Sequence, residues 1–542
     1  MRRTHGSTLH NARMRFSLAH RFGMPSWSGE DTPASARPPR PLTPRPVVSR
    51  AVGQATRRVR AGGRVARQPT AQQRRDARDL LRGSIYDGVT FRVTPANQHY
   101  SAREILNFCL DLGELMLTAG ADTRSVEVAV VAVCSTWNLL PMEIDLASES
   151  IYLMYTPADG QPIVTMRVIR TETSDLGRVD RLHRVVEQVV LEGTGLAEAT
   201  RSLSGVAQLP PRWGPQVMTV ATAVLAVSVA LQCGGSPRAA LAAFLLVCVV
   251  TEVSLLLSRR GLPAFFAAGA QAAIAGAFAT VAIYTELLTA GGAAASLAAC
   301  LVLLLPHASI VTFGRDAITG FKATAASRSI GIGLVIMGIL FGLQLGLSLT
   351  RELPVQVDPT DIRLHPLGLG LAALASAIAA SANCIAQGSA ARVIPAAALA
   401  CVLAQLVLRG CLHAGLGNTE ATFLAATALG AACTWWAARQ HTSATVYAVP
   451  AFCGALLPAL PVADSLLNLV AHTPNSGWRL AIAVLSTLSI GAGLVMGGLL
   501  ATGGARRVVR SRVRSLDTAI ERPERTVESP VPSVGASGVY GT

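Results

Sequence analysis

The chain has 542 residues, 51% of them hydrophobic and 15% charged, where a soluble domain carries about 25% charged residues. That deficit, with apolar runs long enough to cross a bilayer as helix, excludes an ordinary soluble enzyme and predicts a polytopic α-helical membrane protein. The net charge of +15 sits in the ends, since residues 1–82 hold 18 arginines against four acids and residues 505–542 hold seven against four, leaving a body of net −2; a basic pI therefore gives no argument for a nucleic-acid partner.

Residues 1–99 are rich in Arg, Pro, Ser and Gly, as in RPPRPLTPRP at 37–46, and have no apolar period. They read as a disordered basic arm without the apolar core of a signal peptide. Such an arm beside a membrane either contacts anionic lipid or stays solvated. From Ser101 the pattern turns to a compact segment. Ile105, Phe108, Leu112, Leu115 and Ala119 predict an amphipathic helix that stops at Gly120, and Val126, Val130, Val133 and Trp137 predict a second. Extended stretches follow at 143–157 and 161–170 around the turn-forming Asp159 and Gly160, then a helix from Asp180 to Leu203. Residues 100–208 thus read as a small α+β domain ahead of the membrane part.

Ten spans are predicted, at about 216–233, 239–257, 264–285, 291–306, 329–349, 366–386, 393–408, 420–438, 444–460 and 478–500. Arg259, Arg260, Arg315, Lys322, Arg328, Arg392, Arg439 and Arg506 all follow even-numbered spans. By the positive-inside rule both termini and the α+β domain then face the cytoplasm. The tail at 501–542 reads as disordered. Three markers recur at nearly one offset: Leu304-Leu305-Pro306 with Leu456-Leu457-Pro458, Arg328 with Arg479, and the first span with the sixth. Five spans per half, an odd number, predict an inverted repeat over 216–350 and 366–500, the architecture of secondary transporters. Ten cysteines lack CxxC spacing, so no metal, disulfide framework or other cofactor is expected.

Residues 103–498 resemble the threonine/serine exporter family. The resemblance rests on GADTRSVEVAVVAVCSTWNL at 120–139, CGGS at 233–236, RRGL at 259–262 and LLPHASIVTFGRDAITGFKATAASR at 304–328. His307 stands where the family usually has glycine. The resemblance implies export of threonine and serine across a bacterial inner membrane, with protons as coupling ion and no enzymatic activity. Related members export dicarboxylates, which keeps a succinate-like substrate open; a membrane-anchored sensor or enzyme acting through 100–208 is a further alternative. The sequence leaves homo-oligomer formation open.

A zwitterion needs a cation for its carboxylate and an acid for its ammonium, and a proton-coupled carrier needs a titrating group at membrane depth. Glu252 is a candidate proton carrier unless it pairs with Arg259 or Arg260. In the stretch broken by Pro306 and Gly320, Asp316 is the candidate for ammonium or proton, Arg328 for carboxylate and His307 for titration; a solvated loop is the alternative. Pro458, Asp464 and Arg479 form the repeat counterpart. Asn383 and Gln387 either bind substrate or join helices. In the α+β domain Gly120, Asp122, Thr123, Arg124 and Glu127 read as a helix cap with an i,i+3 ion pair, or as a gating or ligand-sensing motif.

Overall fold

The computed structural model describes residues 100–521, apart from 148, 158–159, 170–172, 355–366, 458, 471–473 and 475, together with Leu81, Ser84 and Tyr86. For residues 307, 459–460 and 503–521 it describes the backbone.

Helix α1 (Ala102–Thr118) starts at a capping box, in which the Ser101 hydroxyl accepts from the Glu104 N–H and the Glu104 carboxylate from the Ser101 N–H. Its apolar face buries Ile105, Phe108, Leu112 and Met116. Gly120, at φ +92, turns the chain through the left-handed region, and Asp122 caps α2 (Thr123–Thr136). Strands β1 (Met142–Ala147), β2 (Ser150–Tyr155) and β3 (Ile163–Val168) form an antiparallel meander in which Ile144 faces Leu153 and Leu153 faces Thr165. The stretch 143–157 is therefore a hairpin and not one strand, since Ala147 pairs with Ser150 and the chain reverses between them. The helix expected over 180–203 is likewise two: α3 (Leu176–Glu187), extended by one π turn at Gln188–Glu192, and α4 (Leu196–Gln208), separated at Gly193, φ +73. Leu81 and Tyr86 are buried in the same core, so packed chain begins before the expected boundary at 100. The rest of the arm at 1–99 lies outside the described residues.

The membrane part follows as α5 (Pro215–Gln232), α6 (Pro237–Arg259), α7 (Ala264–Tyr284), α8 (Ala290–Leu303), α9 (His307–Thr319), α10 (Lys322–Leu349), α11 (Leu369–Ala386), α12 (Val393–His413), α13 (Asn418–Gln440), α14 (Thr445–Ala455), α15 (Ala459–Val470) and α16 (Ser476–Glu521). Among the described residues eight helices are long and apolar enough to cross a bilayer: α5 to α7, α10 to α13, and α16. The chain is a polytopic helical membrane protein, but two expected spans are not straight crossings. The fourth stops at Leu303 and bends by 53° into α9, which Pro306 caps. The ninth becomes α14, only 11 residues with Pro450 inside it, followed by α15 of 12 residues. Proline removes a backbone donor while leaving the stretch apolar, so hydropathy sees no break. Helix α16 is continuous for 46 residues, so the tail expected to be disordered from 501 is helical to Glu521. It meets no proline before Pro523.

Small residues set the packing. Gly338, Gly342 and Gly346 of α10 lie against the backbone of Phe265, Gly269 and Ala273 in α7, and Gly493 and Gly497 of α16 against Phe423 and Thr427 in α13. A side chain at these glycines would hold the helix backbones apart. The α+β domain is tied to the bundle by polar bonds. The Leu176 N–H donates to the Gln387 carbonyl at 3.0 Å, Trp213 Nε1 to the Ser389 carbonyl at 3.0 Å, and the Thr324 hydroxyl to the Leu146 carbonyl at 3.2 Å. Arg392 at the start of α12 pairs with the fully buried Asp180 of α3 at 2.6 Å, and Arg184 pairs with the same carboxylate at 2.8 Å.

Candidate functional site at the domain–bundle junction

The chain through Gly120 aims the start of α2 into the membrane part. Asp122 is 1% exposed and caps α2 by accepting from the Ser125 N–H at 3.2 Å and its hydroxyl at 2.8 Å. The same carboxylate accepts from the Thr445 hydroxyl at 2.5 Å and the Ser443 hydroxyl at 3.3 Å, at the start of α14, and faces Arg315 Nη1 of α9 at 3.5 Å. Arg315 Nη1 also donates to the Thr445 hydroxyl. Burial alone pushes the Asp122 carboxyl up, but Arg315, the Thr445 and Ser125 hydroxyls and the Ser125 N–H outweigh it and hold it at about 2. Asp122 is thus an anion at any physiological pH.

One residue on, the Thr123 hydroxyl donates to Asp316 Oδ2 at 3.1 Å, and Arg328 Nη1 donates to the same oxygen at 2.5 Å. Both side chains of this ion pair are buried, and Asp316 Oδ1 has no hydrogen-bond partner among the described residues. Two acids and two arginines from α2, α9 and α10 therefore neutralise one another at a single junction. The sequence offered Asp316 for a substrate ammonium or a proton and Arg328 for a carboxylate; in the structure each is the other's counter-ion. Pro306 and Gly320, φ +103, bound the helix that carries Asp316. Arg124 and Glu127 pair at 2.6 Å beside the cap.

Beside this cluster lies a cavity of about 450 Å³ between α2 and α3 of the domain and α9, α13, α14 and α16 of the bundle. Asp122, Ser125, His183, Arg315, Thr442 and Ser443 supply its polar wall. His183 is 2% exposed, and neither ring nitrogen has a hydrogen-bond partner among the described residues. Burial outweighs the opposing pull of Asp122 and Asp180 and pushes its imidazole down to about 4. The unfolded chain's imidazole titrates near 6.5 and takes up a proton that the buried ring refuses. The folded protein is expected to lose stability as pH falls from about 6.5 to about 4, and to keep this contribution constant above that window. Thermal unfolding of the full chain across that window measures it; an acid slope identical in His183→Leu would show that the ring plays no part.

The other sequence candidates lie elsewhere. Asp464 and Arg479 join α15 to α16 by an ion pair at 2.5 Å, half exposed, and Asn468 donates to Asp464 Oδ1 at 2.8 Å. Glu252 is exposed on α6 and accepts from the Thr219 hydroxyl at 3.4 Å; no described ion pair links it to Arg259 or Arg260. Asn383 is buried and donates to the Val449 and Pro450 carbonyls at 3.3 Å each, so it braces the proline-bearing α14. Gln387 accepts from Ser174 of the domain. Pro458 and the His307 side chain lie outside the described residues. Sequence reasoning missed Ser443, Thr445, Asp180 and His183. His183 had a signal, a polar residue on the apolar face with Val179, Leu182 and Val186; Ser443 and Thr445 had none, being some 320 residues from Asp122 in the chain.

Residues 107–350 match the family model for the threonine/serine exporter. A "Probable threonine/serine exporter" of Mycobacterium tuberculosis is 29% identical over 414 residues, which cover 74% of this chain and 77% of that protein. The "Threonine/serine exporter" of Corynebacterium glutamicum is 24% identical over 413 residues, covering 74% and 83%. No solved structure matches the chain.

Proposed function

Because this chain belongs to the threonine/serine exporter family, we propose that it moves threonine and serine out of the cytoplasm as a secondary exporter driven by the proton motive force. The observation that carries this reading is the buried Asp316–Arg328 pair. A titratable acid and a fixed cation sit together where a proline-broken segment meets the next helix, and one oxygen of the acid, without a hydrogen-bond partner among the described residues, is open to a proton. Asp316 is the proton carrier in this reading, and Arg328 the counter-ion whose pairing its neutralisation breaks.

The alternating-access scaffold is a five-plus-five inverted repeat. In its favour, each half runs as three long helices, one broken pair and one long helix. The helix pair α7 and α10 has its counterpart in α13 and α16, and the ion pair joining α9 to α10 has its counterpart, Asp464–Arg479, joining α15 to α16. The α+β domain and both termini face the cytoplasm in this reading, which the distribution of arginines supports. A dicarboxylate would draw on Arg328 and Arg479, yet each already has its own carboxylate partner, which favours the zwitterion.

Cells carrying this protein and preloaded with labelled threonine, serine or succinate are expected to release the first two faster than cells without it, and a protonophore should abolish the difference. Faster release of succinate alone would replace this reading with a dicarboxylate exporter. Release that survives the protonophore would remove the proton coupling.

A further inference from the structure

The junction cavity is wide enough for a small ligand, within the range of about 300–1,000 Å³ usual for such sites, and its walls are not chemically balanced. Both nitrogens of His183 and the hydroxyl of Thr442, each on a side chain at most 2% exposed, have no hydrogen-bond partner among the described residues. A buried polar group without a partner is costly, and the structure keeps at least three such atoms around one space. The same space is bordered by the Arg315 guanidinium, one quarter exposed, and by the anionic Asp122 with the Ser125 and Ser443 hydroxyls. The remainder is small and apolar, including Val128, Ala437, Ala444 and Leu494.

We propose that this chamber binds one small hydroxylated amino-acid zwitterion, so that the α+β domain supplies half of the substrate site. The ligand carboxylate meets Arg315, its ammonium meets Asp122 with the flanking serine hydroxyls, and its side-chain hydroxyl meets His183 and Thr442. The imidazole offers one donor and one acceptor, and the threonine hydroxyl offers both, which suits a ligand hydroxyl that must give and take a hydrogen bond. A methyl group fits the alanine-lined remainder. This inference rests on the exporter reading for its substrate class and deepens it, because it puts recognition at the junction and leaves the Asp316–Arg328 pair to proton coupling.

The test uses the full chain in lipid nanodiscs and equilibrium binding of labelled L-serine, L-threonine and L-alanine, beside the efflux measurement in cells. Wild-type protein is expected to bind serine at least about tenfold more tightly than alanine, because alanine leaves the buried polar groups unpaired. Thr442→Val, nearly isosteric, should bring that ratio down toward one while alanine binding stays the same. Val128→Phe, which fills the chamber, should weaken serine and threonine alike by at least about tenfold. Leu241→Phe, on a lipid-exposed face of α6, serves as the control and should bind as wild type does. Wild-type efflux together with an unchanged serine-to-alanine ratio in Thr442→Val and full binding by a folded Val128→Phe would overturn the chamber and leave the exporter standing. Absence of both binding and efflux for serine and threonine in the wild type would instead overturn the exporter reading, and the chamber's substrate class with it.

Discussion

Arg328→Met is expected to abolish threonine efflux and to cost the folded protein about 3–5 kcal/mol, the usual effect of removing one partner from a buried ion pair. Asp316 is fully buried, and after the substitution it keeps, among the described residues, the Thr123 hydroxyl at 3.1 Å as its one donor. An unpaired carboxylate there also loosens the link between α9 and α2, so docking of the domain should weaken together with folding. The double variant Asp316→Leu with Arg328→Met separates structure from function. Replacing both partners by apolar groups is often neutral or stabilising, so its thermal unfolding should return to near wild type while efflux stays lost. Efflux recovered along with stability would mean that the pair only holds helices together, and the proton-carrier role of Asp316 would fall.

The second large effect belongs to a residue with no chemistry. A β-carbon on Gly342 would overlap the backbone carbonyl of Gly269, and the flanking Gly338 and Gly346 make the same approach to Phe265 and Ala273. Gly342→Val forces α7 and α10 apart along the whole contact, and is expected to destabilise by about 3 kcal/mol or more, the upper range for overpacking. Gly333→Val, on the same helix with nothing within 4 Å of the added carbon, should change stability by no more than about 0.5 kcal/mol. Yield and thermal unfolding of the two variants in detergent decide the matter. Equal behaviour would show that the close approach of the helices is not what holds them. The spacing of 338, 342 and 346 makes this ladder readable as small-xxx-small, and its echo at 493 and 497 of α16 is the same device in the other half.

What the sequence made legible follows from the range of the forces involved. Straight spans such as α6 and α12 were found because some twenty apolar residues in a row suffice to define them. A cap at Asp122 or Thr123 and the Arg124–Glu127 pair could be read because both are contacts within one helical turn, and the structure has Asp122 as the cap. The broken segments were half legible: Pro306 marked the break, but the 53° bend and the short α14 with Pro450 depend on neighbours distant in the chain, such as Asn383, which bonds the Val449 and Pro450 carbonyls. The junction was not legible. Asp122 and Arg315 are 193 positions apart, and nothing local to either tells a solvated charge from a buried one. Asp316 and Arg328 were singled out from the sequence as separate groups, and their separation of 12 positions hid that they pair with each other.

The α+β domain grips both halves of the bundle. Thr324 and Asp316 hold it from α10 and α9, while Gln387, Ser389, Arg392 and Thr445 hold it from the second half. Each of these bonds has one partner ahead of residue 214 and one beyond it. A change on either side, such as loss of Asp180, is felt at once by a residue such as Arg392 on the other. Each side of these bonds therefore limits which substitutions the other can accept. Exchanging this domain for that of a relative 29% identical would break the match even where each part folds well. The short segment before α5 looks like a seam at which modules could be traded, but the contacts make the chain one heritable unit.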